Sequence, residues 1–310
     1  MRIVFLGSGA FAIPSLEATA DAGHEVAALV TQPDREKGRG RALAPPPLKP
    51  VAEARGIPVL QPRRVRDEAS VEMLRALAPE VQIVVAYGQI LPRAVIDLAP
   101  RGTINVHASL LPLYRGAAPI QWAIVRGEAE TGVTTMLIDE GLDTGPTLLS
   151  RSTSIDPSET AADLEPRLAR LGAQVLLETL RGIEKGELNP VPQDASRATL
   201  APIIRKEDGR VDWTMSATQI SRRVRGFHPW PGTTTSSGGR ALKIVAATLE
   251  SDGEPAVAGT IVELRREGIL VACGEGSRLL LTAVQPESRR PMAAAAFAAG
   301  TRLAPGARFD

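Results

Sequence analysis

Val81-Gln-Ile-Val-Val-Ala86 is the run that decides the fold. Four of its six residues are β-branched. Apart from Gln82 both faces are apolar, which is how a strand covered on both sides reads. Working back from it, 69–77 has helical spacing and Val59-Leu60 is a short strand. The stretch 48–55 is a helix stopped by Gly56, and 26–31 is a strand. The stretch 14–22 is a helix ending at Gly23, and Arg2-Ile-Val-Phe-Leu6 is a buried strand that turns at Gly7-Ser-Gly9. Working forward, 94–98 is a short helix and Thr103 to His107 another strand. Strands and helices in strict alternation predict an α/β, Rossmann-like domain with a parallel-rich sheet and helices on both faces. Such a sheet takes its ligands at the carboxyl ends of its strands.

The rhythm changes after His107. Strands are expected at 132–139 and 147–155, and a long helix at 160–180. The stretch from 188 to about 205 has no periodicity and carries Pro190, Pro192 and Pro202 as breakers, so it reads as a linker. Beyond it, short strands at 242–246, 259–262, 269–272 and 279–283 predict a small all-β barrel or sandwich, and the alanine tract 293–299 a short helix. The division expected is 1–189, a linker at 190–205, and a second domain at 206–310.

Composition narrows the function classes. With 310 residues, 44% hydrophobic, the chain can build full cores, and with 23% charged residues it is an ordinary soluble sequence. A net charge of +1 does not mark a nucleic-acid binder, and aromatics at 3% rule out a broad base-stacking platform. The charge is unevenly placed. From residue 205 onward there are 15 Lys/Arg against 11 Asp/Glu, and before it 21 against 24. A basic second domain is compatible with a phosphate backbone, although a solvated face without a partner explains it more simply. The single cysteine, Cys273, lies in an apolar run and reads as a core residue. No disulfide is possible within the chain, no Cys/His cluster has zinc spacing, and no 18-residue apolar run is present. A reducing, cytoplasmic setting is expected.

Four segments could carry chemistry. Gly7-Ser-Gly9-Ala-Phe-Ala12 fits the dinucleotide fingerprint. The second strand, however, ends Thr31-Gln32-Pro33, without the acidic residue that holds a ribose, so a tight strand-to-helix turn is the better reading. In Thr103-Ile-Asn105-Val-His107 the alternation of a strand places Asn105 and His107 on one face and Ile104 and Val106 on the other. An imidazole can exchange a proton near neutral pH, and an Asn amide can donate to a developing oxyanion. Of the other histidines, His24 follows Gly23 and is expected to be exposed, and His228 lies in a proline-rich turn. Asp143, in Asp139-Glu-Gly141-Leu-Asp143-Thr-Gly145, either caps a turn or orients His107. Spacing leaves both open. Arg35, Lys37, Arg39 and Arg41 punctuate a Gly-rich stretch after the second strand, expected as a long loop whose arginines suit phosphate and RNA.

Together these segments resemble the folate-dependent formyltransferases, and within them the tRNA-directed branch. The residues that carry the likeness are Gln32-Pro-Asp-Arg35 with Gly38-Arg-Gly40, Val84-Val-Ala-Tyr87-Gly88, Ile104-Asn-Val-His107, Ser109-Leu-Leu-Pro112, Arg115-Gly-Ala-Ala-Pro119, Gly141-Leu-Asp143-Thr-Gly145, Val211-Asp-Trp213 and Pro229-Trp-Pro-Gly232. The Gln-Pro-Asp-Arg and Gly-Arg-Gly stretch is the part specific to the tRNA branch. Two features depart from the family: Gly7-Ser-Gly9 stands where Gly-Thr-Pro is common, and the C-terminal end is shorter and richer in alanine.

The resemblance implies a Rossmann-like catalytic domain followed by an OB-like, tRNA-binding β-barrel. It implies transfer of the formyl group of 10-formyltetrahydrofolate to the α-amino group of methionyl-initiator tRNA, with no metal. By the same resemblance Asn105, His107 and Asp143 are catalytic. Val85, Ala86, Tyr87, Gly88, Ser109, Leu110, Leu111, Pro112, Asp139 and Gly141 lie against the folate, and Arg35, Lys37, Arg39 and Arg41 meet the tRNA. A monomer free of membranes is expected. Three rivals are an amino-sugar-nucleotide formyltransferase with the same trio, a dinucleotide oxidoreductase built on Gly7–Ala12, and a non-catalytic RNA binder. The first has no use for the Gly/Arg loop, the second lacks its ribose acid, and the third leaves Asn105, His107 and Asp143 without a role.

Overall fold

The computed structural model describes residues 1–37, 42–254 and 256–310. They form two compact units. The first comprises Met1–Pro119, Glu130–Ser154 and Glu165–Ala201, and the second Ile120–Ala129, Ile155–Leu164 and Pro202–Asp310.

In the first unit the chain runs β1 (Arg2–Gly7), α1 (Ile13–Asp21), β2 (Glu25–Val30), β3 (Arg35–Lys37), β4 (Ala42–Ala44), α2 (Leu48–Ala54), β5 (Val59–Leu60), α3 (Glu68–Ala76), β6 (Val81–Val85), α4 (Arg93–Ile96), β7 (Thr103–His107) and β8 (Arg115–Gly116). The chain then passes through α5 (Pro119–Arg126), which from Ile120 belongs to the second unit, and goes on to β9 (Glu130–Leu137), β10 (Thr147–Ser154), α6 (Ala161–Lys185), which belongs to the first unit from Glu165, and β11 (Leu200–Ala201). Seven strands make one sheet in the order β10-β9-β7-β6-β1-β2-β5. From β7 to β5 every pairing is parallel, while β9 runs antiparallel to both β7 and β10. This is the mixed, parallel-rich sheet that the alternation predicts.

Burial explains the composition of the central strands. All five residues of β6 are buried, and the amide NH2 of the one polar member, Gln82, is held from inside: its Nε2 donates to Val95 O at 2.6 Å and to Thr103 Oγ1 at 3.0 Å, while its Oε1 is buried without a partner among the described residues. Helix α6 lies so close on β7 that a Cβ on Gly172 would sit 3.0 Å from Val106 Cγ1. The apolar face of β7 is thereby covered.

The first unit corrects the sequence expectation at the Gly/Arg-rich stretch and at His24. The Gly/Arg-rich stretch, expected as a long loop, has flanks that pair: β3 and β4 form an antiparallel ladder, Arg35 opposite Ala44 and Lys37 opposite Ala42. Short runs without apolar alternation gave no strand signal here. His24 is not exposed. Its side chain is only 8% accessible, its Nδ1 lies 3.7 Å from Glu184 Oε1, and burial holds its pKa below the ordinary histidine value.

The second unit has α7 (Ala217–Gly226), β12 (Thr233–Ser237), β13 (Arg240–Glu250), β14 (Ile261–Leu264), β15 (Ile269–Ala272), β16 (Arg278–Pro286), β17 (Met292–Ala293) and α8 (Ala294–Thr301). The strands form an antiparallel sheet in the order β12-β13-β16-β15-β14, with β17 on β16. Residues 306–310 join its two edges. Ile261 N donates to Ala307 O at 2.8 Å and Phe309 N to Gly259 O at 2.9 Å, while Ser236 N donates to Asp310 O at 3.1 Å. The sheet thus closes into a small barrel around Ile244, Val271, Leu281 and Phe309. Trp213 stacks on Phe309 at 5.9 Å, Trp122 meets Phe227 edge-on at 5.8 Å, and Trp230 is 58% exposed. Helix α7 begins with a capping box in which Ser216 and Gln219 each serve the other's backbone. Among the described residues no helix is long and apolar enough to cross a membrane.

Cys273 belongs to this barrel core, 3% exposed, and burial pushes its thiol up to about 12. Since the thiolate is the reactive form, iodoacetamide at pH 8 should leave Cys273 unmodified in the native protein and label it in urea. Mass spectrometry reads the result, and rapid native labelling would contradict the burial described.

Candidate active site

The site is built on β7. This strand pairs in parallel with β6, Val84 opposite Asn105, and antiparallel with β9, His107 opposite Thr134. Ile104 and Val106 are buried in the core, so Asn105 and His107 emerge together on the other face at the strand's carboxyl end. The chain then turns sharply. Ser109 Oγ donates to Leu113 O at 2.6 Å. Thr134 Oγ1 donates to Ser109 O at 2.7 Å and accepts from Leu111 N at 3.1 Å. The Leu111–Pro112 peptide is cis.

This turn returns Tyr114 to His107, whose Nε2 lies 2.9 Å from Tyr114 O. A carbonyl oxygen only accepts, so Nε2 carries a proton in this contact. Nδ1 is left to exchange protons, and it lies 3.6 Å from Asp143 Oδ2. The structure thus brings Asp143, whose place spacing left open, to His107. Its carboxylate, 15% exposed, also accepts from Asn105 Nδ2 at 3.3 Å through Oδ1 and from Gly116 N at 2.8 Å through Oδ2. An amide NH2 has two hydrogens, so Asn105 keeps one for another acceptor. The group can therefore move a proton at His107 Nδ1 and stabilise a developing oxyanion beside it.

Asp143 holds a left-handed φ of 52°, and its loop is tied down on both sides. Asp139 Oδ1 accepts from Gly141 N at 3.0 Å and Thr144 Oγ1 at 2.6 Å. Gly145 must be glycine, because a Cβ there would lie 1.9 Å from Leu137 O. Gln193 Nε2 donates to Asp143 O at 2.9 Å and to Gly145 O at 2.7 Å. Gln193 Oε1 in turn accepts from Arg115 Nε at 3.1 Å and Nη2 at 2.7 Å. Sequence reasoning missed Gln193, which lies in the stretch read as a linker. That stretch is tied to the site again where β11 pairs with β8 and where Tyr114 N donates to Thr199 Oγ1 at 2.8 Å.

The segments expected to lie against folate fall at the ends of β6 and β7 and in the Asp143 loop. Val85 closes β6. Ala86 and Gly88 take left-handed φ of 48° and 81°. Tyr87 points inward: its ring joins Val30 and Leu74 in the core, and burial raises its phenol to about 12. What residues 85–88 offer a ligand is backbone. Tyr87 O already accepts from Ser8 Oγ at 3.2 Å and Gln32 Nε2 at 3.1 Å. Ser109 is fully buried, and its hydroxyl closes the turn, so it has no side-chain atom to offer. Leu110, Leu111 and Pro112 are half-buried, whereas Asp139 and Gly141 are exposed.

Of the residues expected at tRNA, Arg35 is exposed and its Nη2 donates to Gln32 Oε1 at 3.1 Å. The Lys37 side chain, Arg39 and Arg41 lie outside the described residues. The base of this hairpin is fixed by Lys49, whose Nζ donates to Asp34 at 3.1 and 3.2 Å. The hydrogen bonds from Gln61 and then Lys49 hold Asp34 below the usual carboxylate range. Among the described residues no cluster of His, Cys, Asp and Glu is arranged to hold a metal ion.

The formyl transferase family matches residues 1–180, and the formyl transferase C-terminal domain matches residues 203–302. A methionyl-tRNA formyltransferase from Solibacter usitatus is 54% identical over 303 residues, covering 98% of this chain and 96% of that protein. One from Geobacter sulfurreducens is 49% identical over 310 residues, covering 100% and 96%. Among solved structures, the sugar 3N-formyl transferase WlaRD, determined in the presence of dTDP and 5-N-formyl-THF, superposes with a TM-score of 0.68 at 17% identity, over 94% of this chain and 99% of its own. That likeness is one of fold.

Gly116 tests the geometry. It has a φ of 121°, and a Cβ would meet Ala201 O at 2.6 Å. Gly116→Ala should lower stability by about 1–3 kcal/mol, followed by circular dichroism in urea. A variant as stable as the parent would contradict the β8–β11 pairing.

Proposed function

The chain belongs to the formyl transferase family, and on that premise we propose that it formylates the α-amino group of methionyl-initiator tRNA with 10-formyltetrahydrofolate as donor. One observation carries the chemistry: a single carboxylate, Asp143, holds Asn105 at 3.3 Å and faces His107 Nδ1 at 3.6 Å. The acceptor rests on relatives about half identical over nearly their whole length. Residues 85–88 and 110–112 suit the donor, because left-handed backbone and half-buried apolar side chains fit a flat, hydrogen-bonding heterocycle.

The residues act as follows. The attacking amine must be neutral, and a free α-amino group has a pKa of roughly 7.7–8.0, which a neighbouring ester lowers. As the amine adds to the formyl carbon, Asn105 offers its second Nδ2 hydrogen to the oxygen that gains charge. His107, protonated at both nitrogens, donates from Nδ1. Asp143 balances the imidazolium. When the carbon–nitrogen bond to the carrier breaks, His107 gives the proton to the departing nitrogen and recovers the one that the attacking nitrogen sheds as it becomes the formamide. One proton leaves the amine and one reaches the carrier, so the sum is neutral.

Residues 1–189 serve as the catalytic domain in this reading. Residues 206–310, with their excess of basic side chains, serve as a tRNA-binding domain joined by 190–205. Arg35, Lys37, Arg39 and Arg41 meet the acceptor end. The reading takes the catalyst as a monomer, and work on charged tRNA supports a cytoplasmic setting.

The deciding assay offers labelled formyl donor to charged initiator tRNA and to an amino-sugar nucleotide in parallel. Product on tRNA alone is expected, and product on the sugar alone would overturn the acceptor. Asn105→Ala should lower kcat by about 10²–10³, or ~3–4 kcal/mol, with both KM values nearly unchanged. A variant within tenfold of the parent would remove Asn105 from this role. Arg39→Ala should raise KM for tRNA and leave KM for the folate unchanged, and unaltered tRNA kinetics would refute the assignment.

A further inference from the structure

We propose that Gln193, backed by Arg115, is a positioning residue that sets the Asp143 carboxylate for the reaction. The inference rests on the catalytic reading of Asp143 given above. Gln193 lies outside every motif that carries the family likeness, yet its carboxamide fills the space behind the Asp143 loop. Nε2 donates to the carbonyls of Asp143 and Gly145 at 2.9 and 2.7 Å. The first of those carbonyls belongs to Asp143 itself, which holds a left-handed φ of 52°, a conformation that β-carbon residues keep only when their surroundings enforce it, and the second lies two residues further on.

Arg115 fixes which way the amide faces. It is 9% exposed, and both its Nε and its Nη2 donate to Gln193 Oε1. A guanidinium only donates, so the amide oxygen must turn toward it and the NH2 toward the loop. The same arrangement keeps Arg115 off the Asp143 carboxylate, whose oxygens remain with Asn105, Gly116 N and His107. Arg115 also precedes Gly116 directly, so one stretch supplies both a hydrogen bond to the carboxylate and the anchor of its loop.

Gln193→Glu separates positioning from packing. Glutamate has the same shape and still accepts from Arg115, which preserves the fold, but an ionised carboxylate cannot donate to the two carbonyls. A misplacement of about 1 Å can cost 10²-fold in rate. The expected result is a kcat lower by about 10–10²-fold, KM for tRNA and for folate within threefold, and an unfolding midpoint no lower than the parent's. Asp143→Asn is measured beside it. If Asp143→Asn is severely impaired and Gln193→Glu keeps parental kcat, or changes only a KM, the positioning role is refuted and the catalytic reading stands. If Asp143→Asn itself stays within tenfold of the parent, the catalytic reading falls and Gln193 has nothing to position.

Discussion

One carboxylate sets the terms for the rest of the first unit. The two oxygens of Asp143 receive an amide hydrogen from Asn105 and a backbone N–H from Gly116, and face His107 Nδ1. A largely buried charge is tolerable only with such partners. Asn105 and His107 come from β7, Gly116 from the stretch after it and the carboxylate from a third, so each stretch must be held accurately. That requirement accounts for the left-handed φ at Asp143, for glycine at 116 and 145, and for the side-chain ties of Asp139 and Gln193 on the backbone around them.

The sheet provides the platform. Strand β7 stands where the sheet changes from parallel to antiparallel, beside β6 on one edge and β9 on the other. Its apolar face is closed by α6, leaving Asn105 and His107 no alternative face. The ends of β6 and β7 are neighbours, so the backbone of 85–88 and the turn 109–112 come to the same edge as Asn105 and His107. The hydroxyl of Ser109 and the phenol of Tyr87 are both turned inward. In each case the chain exposes main chain or apolar surface and buries the polar side chain that sequence alone would have offered to a ligand.

Legibility in the sequence followed physical range. β1 and β6 could be read because a strand covered on both faces must be apolar throughout. Asn105 and His107 could be read because alternation along five residues is purely local. Asp143 lies 36 residues beyond His107 in the sequence, and no local rule joins them. Gln193, between prolines, has no pattern at all. β12 was missed because Thr233-Thr-Thr-Ser-Ser237 has no apolar member, although Thr233 and Thr235 are buried. α7 was missed although Ser216 and Gln219 spell out its capping box. α5 is short and follows directly on the site turn. The Gly/Arg stretch was read by composition, which identifies basic residues but not the pairing of its flanks.

The placement of the aromatic residues has a spectroscopic consequence. All three tryptophans of the chain, Trp122, Trp213 and Trp230, belong to the second unit. Both tyrosines, Tyr87 and Tyr114, belong to the first and are buried. Indole emission therefore reports on the second unit alone, with Trp230 open to a soluble quencher and Trp213 shielded from it. A fluorescence melt would follow one half of the molecule and pass silently over the other. Events at Asp143 have to be watched through the imidazole resonances of His107 or through the absorbance of a bound heterocycle.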